Sequence, residues 1–170
     1  MHSILWRLNA PFFFGVIVLG ILTGINVIST YFVDYRVDTS IQNIHVNKFI
    51  NNSRFHWEEA ELSFDLKGDF SEVFNWNVNY IYIYVELDYE SPMRNAIIIW
   101  DKIIPRFYYK PLKIEYKSEK GKYTLKNKGY NLRGKNVLAK IKLEIEPIAG
   151  FIFKIEGSHS NITFPTNYSY

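Results

Sequence analysis

Two patterns of hydrophobicity divide this chain of 170 residues. From Ala10 to Val33, APFFFGVIVLGILTGINVISTYFV, twenty-four residues pass without a charge. At about 1.5 Å per residue, a helix of that length reaches ~36 Å and can cross a hydrocarbon core of ~30 Å. After Val33 no second long apolar run occurs, and short segments alternate apolar and polar residues with period two. Ile44, Val46 and Phe49 mark the first. In EAELSFDLK, Ala60, Leu62, Phe64 and Leu66 share one face, and Glu61, Ser63, Asp65 and Lys67 the other. In VNYIYIYVELDYE, Ile81, Ile83, Val85, Leu87 and Tyr89 oppose Tyr80, Tyr82 and Tyr84. NAIIIWDKII (95–104) is apolar almost without interruption and predicts a strand buried on both faces.

Further strands are expected at LKIEY (112–116), GKYTLK (121–126), NVLAKIKLEIE (136–146), FIFKIEG (151–157) and SNITF (160–164). Val137, Ala139, Ile141, Leu143 and Ile145 form an inward row against Lys140, Lys142, Glu144 and Glu146. Turn signals fall at Gly68-Asp69, Ser91-Pro92, Pro105, Pro111, Gly121, Gly129, Gly134, Pro147 and Gly150. The one helical candidate after the apolar run is DFSEVF (69–74), a turn or two at most. The pattern predicts an all-β fold class: one N-terminal transmembrane helix, then an antiparallel β-sandwich.

The apolar run sets the topology. Pro11 is expected in the helix's first turn, where a missing N–H costs nothing, and Tyr31 at the far interface fits an aromatic belt. Arg7 lies on the near side, while Asp34, Arg36 and Asp38 follow on the far side. The positive-inside rule puts the N-terminus in the cytosol. The competing reading is a signal peptide cleaved after Ser29, but such apolar regions usually run only about 7–15 residues. The expectation is therefore a cytosolic tail over 1–10, an uncleaved signal-anchor over 11–33 and a non-cytosolic domain over 34–170.

Composition narrows the classes. Hydrophobic residues make up 48% and aromatics 18%, which excludes a disordered chain. Cysteine is absent, so there is no disulfide framework, thiolate metal site or Cys nucleophile. Charge is uneven along the chain. Residues 34–101 carry five Lys/Arg and twelve Asp/Glu, net −7, whereas 102–142 carry thirteen against two, net +11. Such a basic block can meet anionic headgroups or an acidic partner, or simply keep exposed hairpins soluble.

Signs of catalysis are missing. His56 stands in HWEEAE, without the second His of a zinc helix, and His159 lies in GSHS, where a neighbouring serine makes no triad. No phosphate-binding glycine motif or nucleophile elbow occurs, and nothing calls for a cofactor. RFYYKPLKIEYK (106–117) mixes bases and tyrosines as nucleic-acid binders do, but the topology points the domain away from nucleic acid. Sequons occur at Asn51, Asn161 and Asn167; Asn161 and Asn51 are the better acceptors.

Three segments carry a family resemblance. DFSEVFNWNVNYIYIYVELDY (69–89) contains the run Phe74, Asn75, Trp76, Asn77, followed by the tyrosine strand. IIIWDKII (97–104) contains Trp100, Asp101 and Lys102, and NLRGKNVLAKIKLEIEPIAGFI (131–152) ends in a P-x-A-G bend. With the membrane run, these resemble subunit 3 of the eukaryotic signal peptidase complex over essentially the whole chain. The resemblance implies a non-catalytic, single-pass type II protein of the endoplasmic reticulum membrane. It also implies a hetero-oligomer in which the lumenal domain supports assembly and activity of the serine-protease subunit that removes signal peptides. Phe74, Asn75, Trp76, Asn77, Tyr80, Tyr82, Tyr84, Trp100, Asp101 and Lys102 are then family-motif or partner-contact candidates, with membrane lipid around the helix. Members often carry a sequon where this chain has Asn136-Val137-Leu138, so glycosylation there is not carried over. The region 105–130 is divergent and Lys-rich. The alternative reading is a lumenal carbohydrate-binding module, and an undetected hydrolase ranks below both.

The topology has a direct measurement. Lumenal exposure predicts an endoglycosidase-sensitive mass shift that Asn161→Gln removes. Digestion of the domain from the cytosolic side of sealed vesicles would refute the orientation.

Overall fold

The computed structural model describes residues 3–33, 35–90, 94–106, 112–129 and 131–169. The turn signals at Ser91-Pro92 and Pro111, and part of the 106–117 segment, lie outside the described residues.

One helix, α1 (Ile4–Thr30), precedes eight strands. It covers residues expected in the tail and ends before Val33. Pro11 therefore sits two turns inside it rather than in the first turn, removing the bond its N–H would give the Arg7 carbonyl. The helix is apolar all round and its most apolar stretch is unburied within the chain, while its last turn meets the sandwich and leaves Thr30 only 2% exposed. Its hydroxyls are satisfied locally: Thr23 donates to the Leu19 carbonyl at 2.8 Å, Ser29 to Asn26 at 2.7 Å and Thr30 to Val27 at 2.6 Å. Local satisfaction is what a segment in hydrocarbon requires, because no water is available there.

The strands are β1 (Asp38–Asn52), β2 (Trp57–Asp69), β3 (Val78–Glu90), β4 (Arg94–Pro105), β5 (Lys113–Lys120), β6 (Leu125–Lys128), β7 (Asn136–Pro147) and β8 (Phe153–Thr163). All pairings are antiparallel. One sheet runs β1-β2-β5, with β6 on the far part of β2, and the other runs β4-β3-β7-β8. Between them lie the predicted inward rows. Ile81, Ile83, Val85 and Leu87 pair across the ladder with Ile145, Leu143, Ile141 and Ala139, all fully buried, and Phe64 and Leu66 meet them from the other sheet.

Several expectations change. The segments 151–157 and 160–164 are one strand, β8, because the polar GSHS stretch continues the ladder opposite β7. NAIIIWDKII is not buried on both faces. β4 is an edge strand, Ile103 is 57% exposed, and a bulge opposite Val85 and Glu86 turns both Ile99 and Trp100 into the core. Gly68-Asp69 is no turn but the end of β2, paired with β1 and β5. DFSEVF forms a hydrogen-bonded turn instead of a helix, burying Phe70 and Val73 under the sandwich. Only Leu125–Lys128 of 121–126 and its sequel forms a strand, since Gly121 and Tyr123 instead donate to the Leu62 and Ile99 carbonyls.

Two bulges flank β2 and share one carboxylate. Asn43 and Ser118, both with positive φ (50° and 52°), interrupt β1 and β5. Asp65 accepts from the Asn43 side chain at 2.7 Å and from the Ser118 N–H at 2.6 Å. The Ser118 bond, then the Asn43 bond, holds its carboxyl below the usual carboxylate range.

The end of the sandwich farthest from α1 is closed by a buried acid. Glu58 is fully buried on β2. It accepts from the Leu132 N–H at 2.9 Å, the Asn127 amide at 3.2 Å and the Tyr168 hydroxyl at 3.0 Å. Tyr168 also packs on Phe49 with ring centroids 5.0 Å apart, and the Ser169 N–H donates to the Phe49 carbonyl at 2.7 Å. A buried carboxylate is tolerated only when its lone pairs are filled in this way. Glu58→Ala would orphan three donors, and at about 1–3 kcal/mol each it should lower stability by several kcal/mol in chemical denaturation of the detergent-solubilised chain. Glu58→Gln, which keeps an acceptor, should cost distinctly less.

Candidate interaction surface

The motif residues gather at two places. The first is the end of the sandwich next to α1, where β3 begins and β7 turns into β8. Asn77, only 1% exposed, accepts from the Ala149 N–H at 3.1 Å and donates to the Ala149 carbonyl at 2.9 Å. Its own carbonyl accepts from the Ile148 N–H at 2.6 Å. Asn75 supports it by accepting from the Asn77 N–H at 2.8 Å, and it donates to the Tyr35 hydroxyl at 3.4 Å. The FNWN run is therefore a clamp on the P-x-A-G bend, so two motif segments some seventy residues apart in sequence form one device. Phe74 packs half-buried on the core, while Trp76 is 50% exposed. Gly150 has φ +118°, where a side chain would be strained, and a Cβ there would meet the Val27 methyls of α1.

The second place is the outer face of the β4-β3-β7-β8 sheet. Tyr80 and Tyr82 are half-buried there and Tyr84 is buried, because neighbouring charges lie flat across them. Tyr80 bonds Glu146, and that bond ahead of burial raises its phenol pKa. Burial first, then Asp101 for Tyr82 and Glu144 for Tyr84, pushes those two phenols up as well. All three stay neutral at physiological pH. Around them, Lys142 pairs with Glu86 at 2.6 Å, Lys140 with Asp88 at 3.0 Å and Lys154 with Glu144 at 2.8 Å. At the β4 edge, Trp100 lies buried against Phe64 and Tyr116. Asp101 pairs with Lys122 at 3.0 Å, and Lys102 donates to Tyr116. Tyr82 pairs across the ladder with the exposed Ile103, and Tyr123, 50% exposed, is held near this edge by its N–H bond to the Ile99 carbonyl. Pattern reading missed Ile103 and Tyr123: the first sat in a run read as core, the second in a segment read as strand.

The basic block does not remain a patch. Lys113 pairs with Asp69, Lys122 with Asp101, Lys140 with Asp88 and Lys142 with Glu86, each acid belonging to the acidic half of the chain. Lys126 covers the Trp57 ring and Arg133 the Tyr168 ring.

Chemistry elsewhere stays sparse. Among the described residues, no three His, Asp or Glu side chains group to hold a metal ion. His159 stands opposite Lys140 on the outer face, while Ser160, opposite Ala139, belongs to the inner one. Asn161 is exposed in β8 and Asn51 in β1, both toward the end away from α1.

Residues 1–167 match the family described as signal peptidase subunit. The chain belongs to that family. Signal peptidase complex subunit 3 of Caenorhabditis elegans is 30% identical over 177 residues, covering 99% of this chain and 97% of the relative. That of Drosophila melanogaster is 31% identical over 179 residues, covering 99% and 98%. That of Gallus gallus is 29% identical over 181 residues, covering 99% and 97%. As a signal peptidase family member the chain is a non-catalytic subunit of the complex, with α1 fitting a single span of the endoplasmic reticulum membrane.

The clamp can be tested without the complex. Asn77→Ala leaves the half-buried Ala149 N–H and carbonyl without their side-chain partner, a loss of about 1 kcal/mol. Hydrogen exchange should show faster exchange at Ala149 and Ile148, while the β3–β7 ladder stays protected.

Proposed function

We propose that the sandwich stands on the lumenal side of the membrane and holds the catalytic serine-protease subunit of signal peptidase through its β4-β3-β7-β8 sheet. The observation that carries this reading is the aromatic edge of that sheet, taken with family membership over the full length. Tyr82 and Ile103, paired across a rigid strand pair, and the nearby Tyr123 offer apolar and aromatic surface that is partly exposed. Aromatic residues over a packed support are the composition of interface cores, where the rim is polar. Asp101, Lys122 and Lys142 supply such a rim, while Trp100 packs into the core beneath β4 and Tyr84 lies beside Tyr82 on the same face. The role is stabilisation: the subunit sets where the protease's fold stands above the bilayer and supplies no reacting group.

The orientation accords with the sequons. Asn161 lies eight residues along β8 from Phe153, roughly 25 Å from the helix end of the sandwich at ~3.3 Å per residue. That distance leaves room for a glycan-transferring enzyme above the membrane.

Co-purification from mild detergent checks the contact. Replacing Ile103 or Tyr123 with Asp should weaken recovery of the serine-protease subunit, since a central interface anchor is worth about 2 kcal/mol, ~30-fold in affinity. Glu156→Gln, on the same sheet away from that surface, should leave recovery unchanged. Tagged chain that comes out of the membrane alone, with precursor processing intact after its depletion, would sink the proposal.

A further inference from the structure

The helix and the β7–β8 hairpin fix each other's depth. A Cβ placed on Gly150 would stand 3.6 Å from both methyl carbons of Val27, so the hairpin faces the helix here across a gap that one methyl group would fill. Val27 lies three residues inside the end of the apolar stretch Arg7–Thr30. At 1.5 Å per residue the hairpin backbone therefore reaches about 5 Å below the level at which that stretch ends. The side chains carried at this level are apolar and uncovered: Ile148 is 63% exposed, Phe151 70% and Ile152 50%. Trp76 (50%) belongs to the loop that clamps the hairpin, and its carbonyl accepts from the Arg106 guanidinium at 2.8 Å. Beyond Phe32, seven large hydrophobic residues among the described ones are exposed, and four of them stand here. The other three, Phe55, Ile103 and Tyr123, lie elsewhere on the sandwich.

A cluster of this kind calls for a cover. The depth identifies it, because the surroundings of a transmembrane helix at the level of Val27 are acyl chains. We infer that the hairpin Pro147–Ile152 and Trp76 insert into the adjacent leaflet at the glycerol–acyl boundary, as a second, shallow membrane contact. Trp and Phe suit that zone, where interfacial elements sink roughly 5–10 Å, and Arg106 offers a cation at headgroup height. Asn77 then has a purpose beyond the fold: it holds the inserted bend in shape by satisfying both Ala149 backbone groups, which would otherwise be costly to bring near lipid. With two contacts, the sandwich has a fixed tilt on its helix. The inference rests on α1 spanning the membrane and is independent of which protein surface meets the protease.

The absence of native cysteine makes the test simple. Single cysteines at Phe151 or Ile152 of the full chain would be labelled with an environment-sensitive fluorophore and reconstituted in phosphatidylcholine vesicles. Ile103→Cys serves as the water-facing control and Leu19→Cys as the mid-helix control. Lipids brominated on the acyl chain should blue-shift nothing by themselves but should remove most of the emission at 151, 152 and 19 while sparing 103. The unquenched spectra at 151 and 152 should already be blue-shifted relative to 103. If 19 is quenched and both 151 and 152 behave like 103, the inference fails while the span stands. If 19 is also unquenched, the span fails and takes the inference with it. If quenching at 151 and 152 disappears in the assembled complex and the same positions crosslink to another subunit, the occupant is protein and the lipid assignment is overturned.

Discussion

Everything in this domain hangs on the ladder between β3 and β7. These strands are central in their sheet, and their inward rows interleave one to one, Ile81 against Ile145 through Leu87 against Ala139. Each such side chain, fully removed from water, contributes about 1.5–3 kcal/mol before the cost of ordering the chain. The same register decides everything outward. Placing Ile83 opposite Leu143 also places Tyr82 beside Glu144 and Tyr84 beside Lys142, so the core pattern dictates which charges lie across the tyrosines. A slip of one residue would invert both faces at once. The ladder also starts at Val78 and ends at Pro147, which brings the Asn77 clamp to the bend it holds.

The folded charge distribution follows from that pairing. Along the chain, acidic and basic residues are segregated into long blocks. The strands carrying them alternate in space, so Glu86 and Asp88 on β3 meet Lys142 and Lys140 on β7. The side chains of Lys140 and Asp88 keep only 18% and 11% of their exposure, so this pair is better shielded from salt than an ordinary surface bridge. Segregation in sequence thus becomes local pairing of opposite charges along the β3–β7 ladder.

Much of this was legible from alternation alone, because period two is unambiguous where one face is buried. The β3 and β7 rows came out residue for residue, as did Ala60 to Leu66 on β2. What escaped was position within the sheet. NAIIIWDKII reads as a doubly buried strand, and only the topology reveals an edge whose Ile103 faces out. Joining 151–157 to 160–164 needed knowledge that β7 is long enough to template the polar link between them. Glu58 escaped as well, since nothing local announces that residues 127, 132 and 168 will converge on it. The motif runs pointed to a family before they pointed to a geometry. That FNWN and P-x-A-G are halves of one clamp is a fact of three dimensions.

The contact between Phe49 and Ser169 joins residues 120 positions apart, and Tyr168 reaches back 110 positions to Glu58. Closing so long a loop is slow and gains nothing until both ends are present. Until residues 164–169 are in place, β1 and β2 therefore wait with the side of Phe49 that Phe164 and Tyr168 cover still open to water.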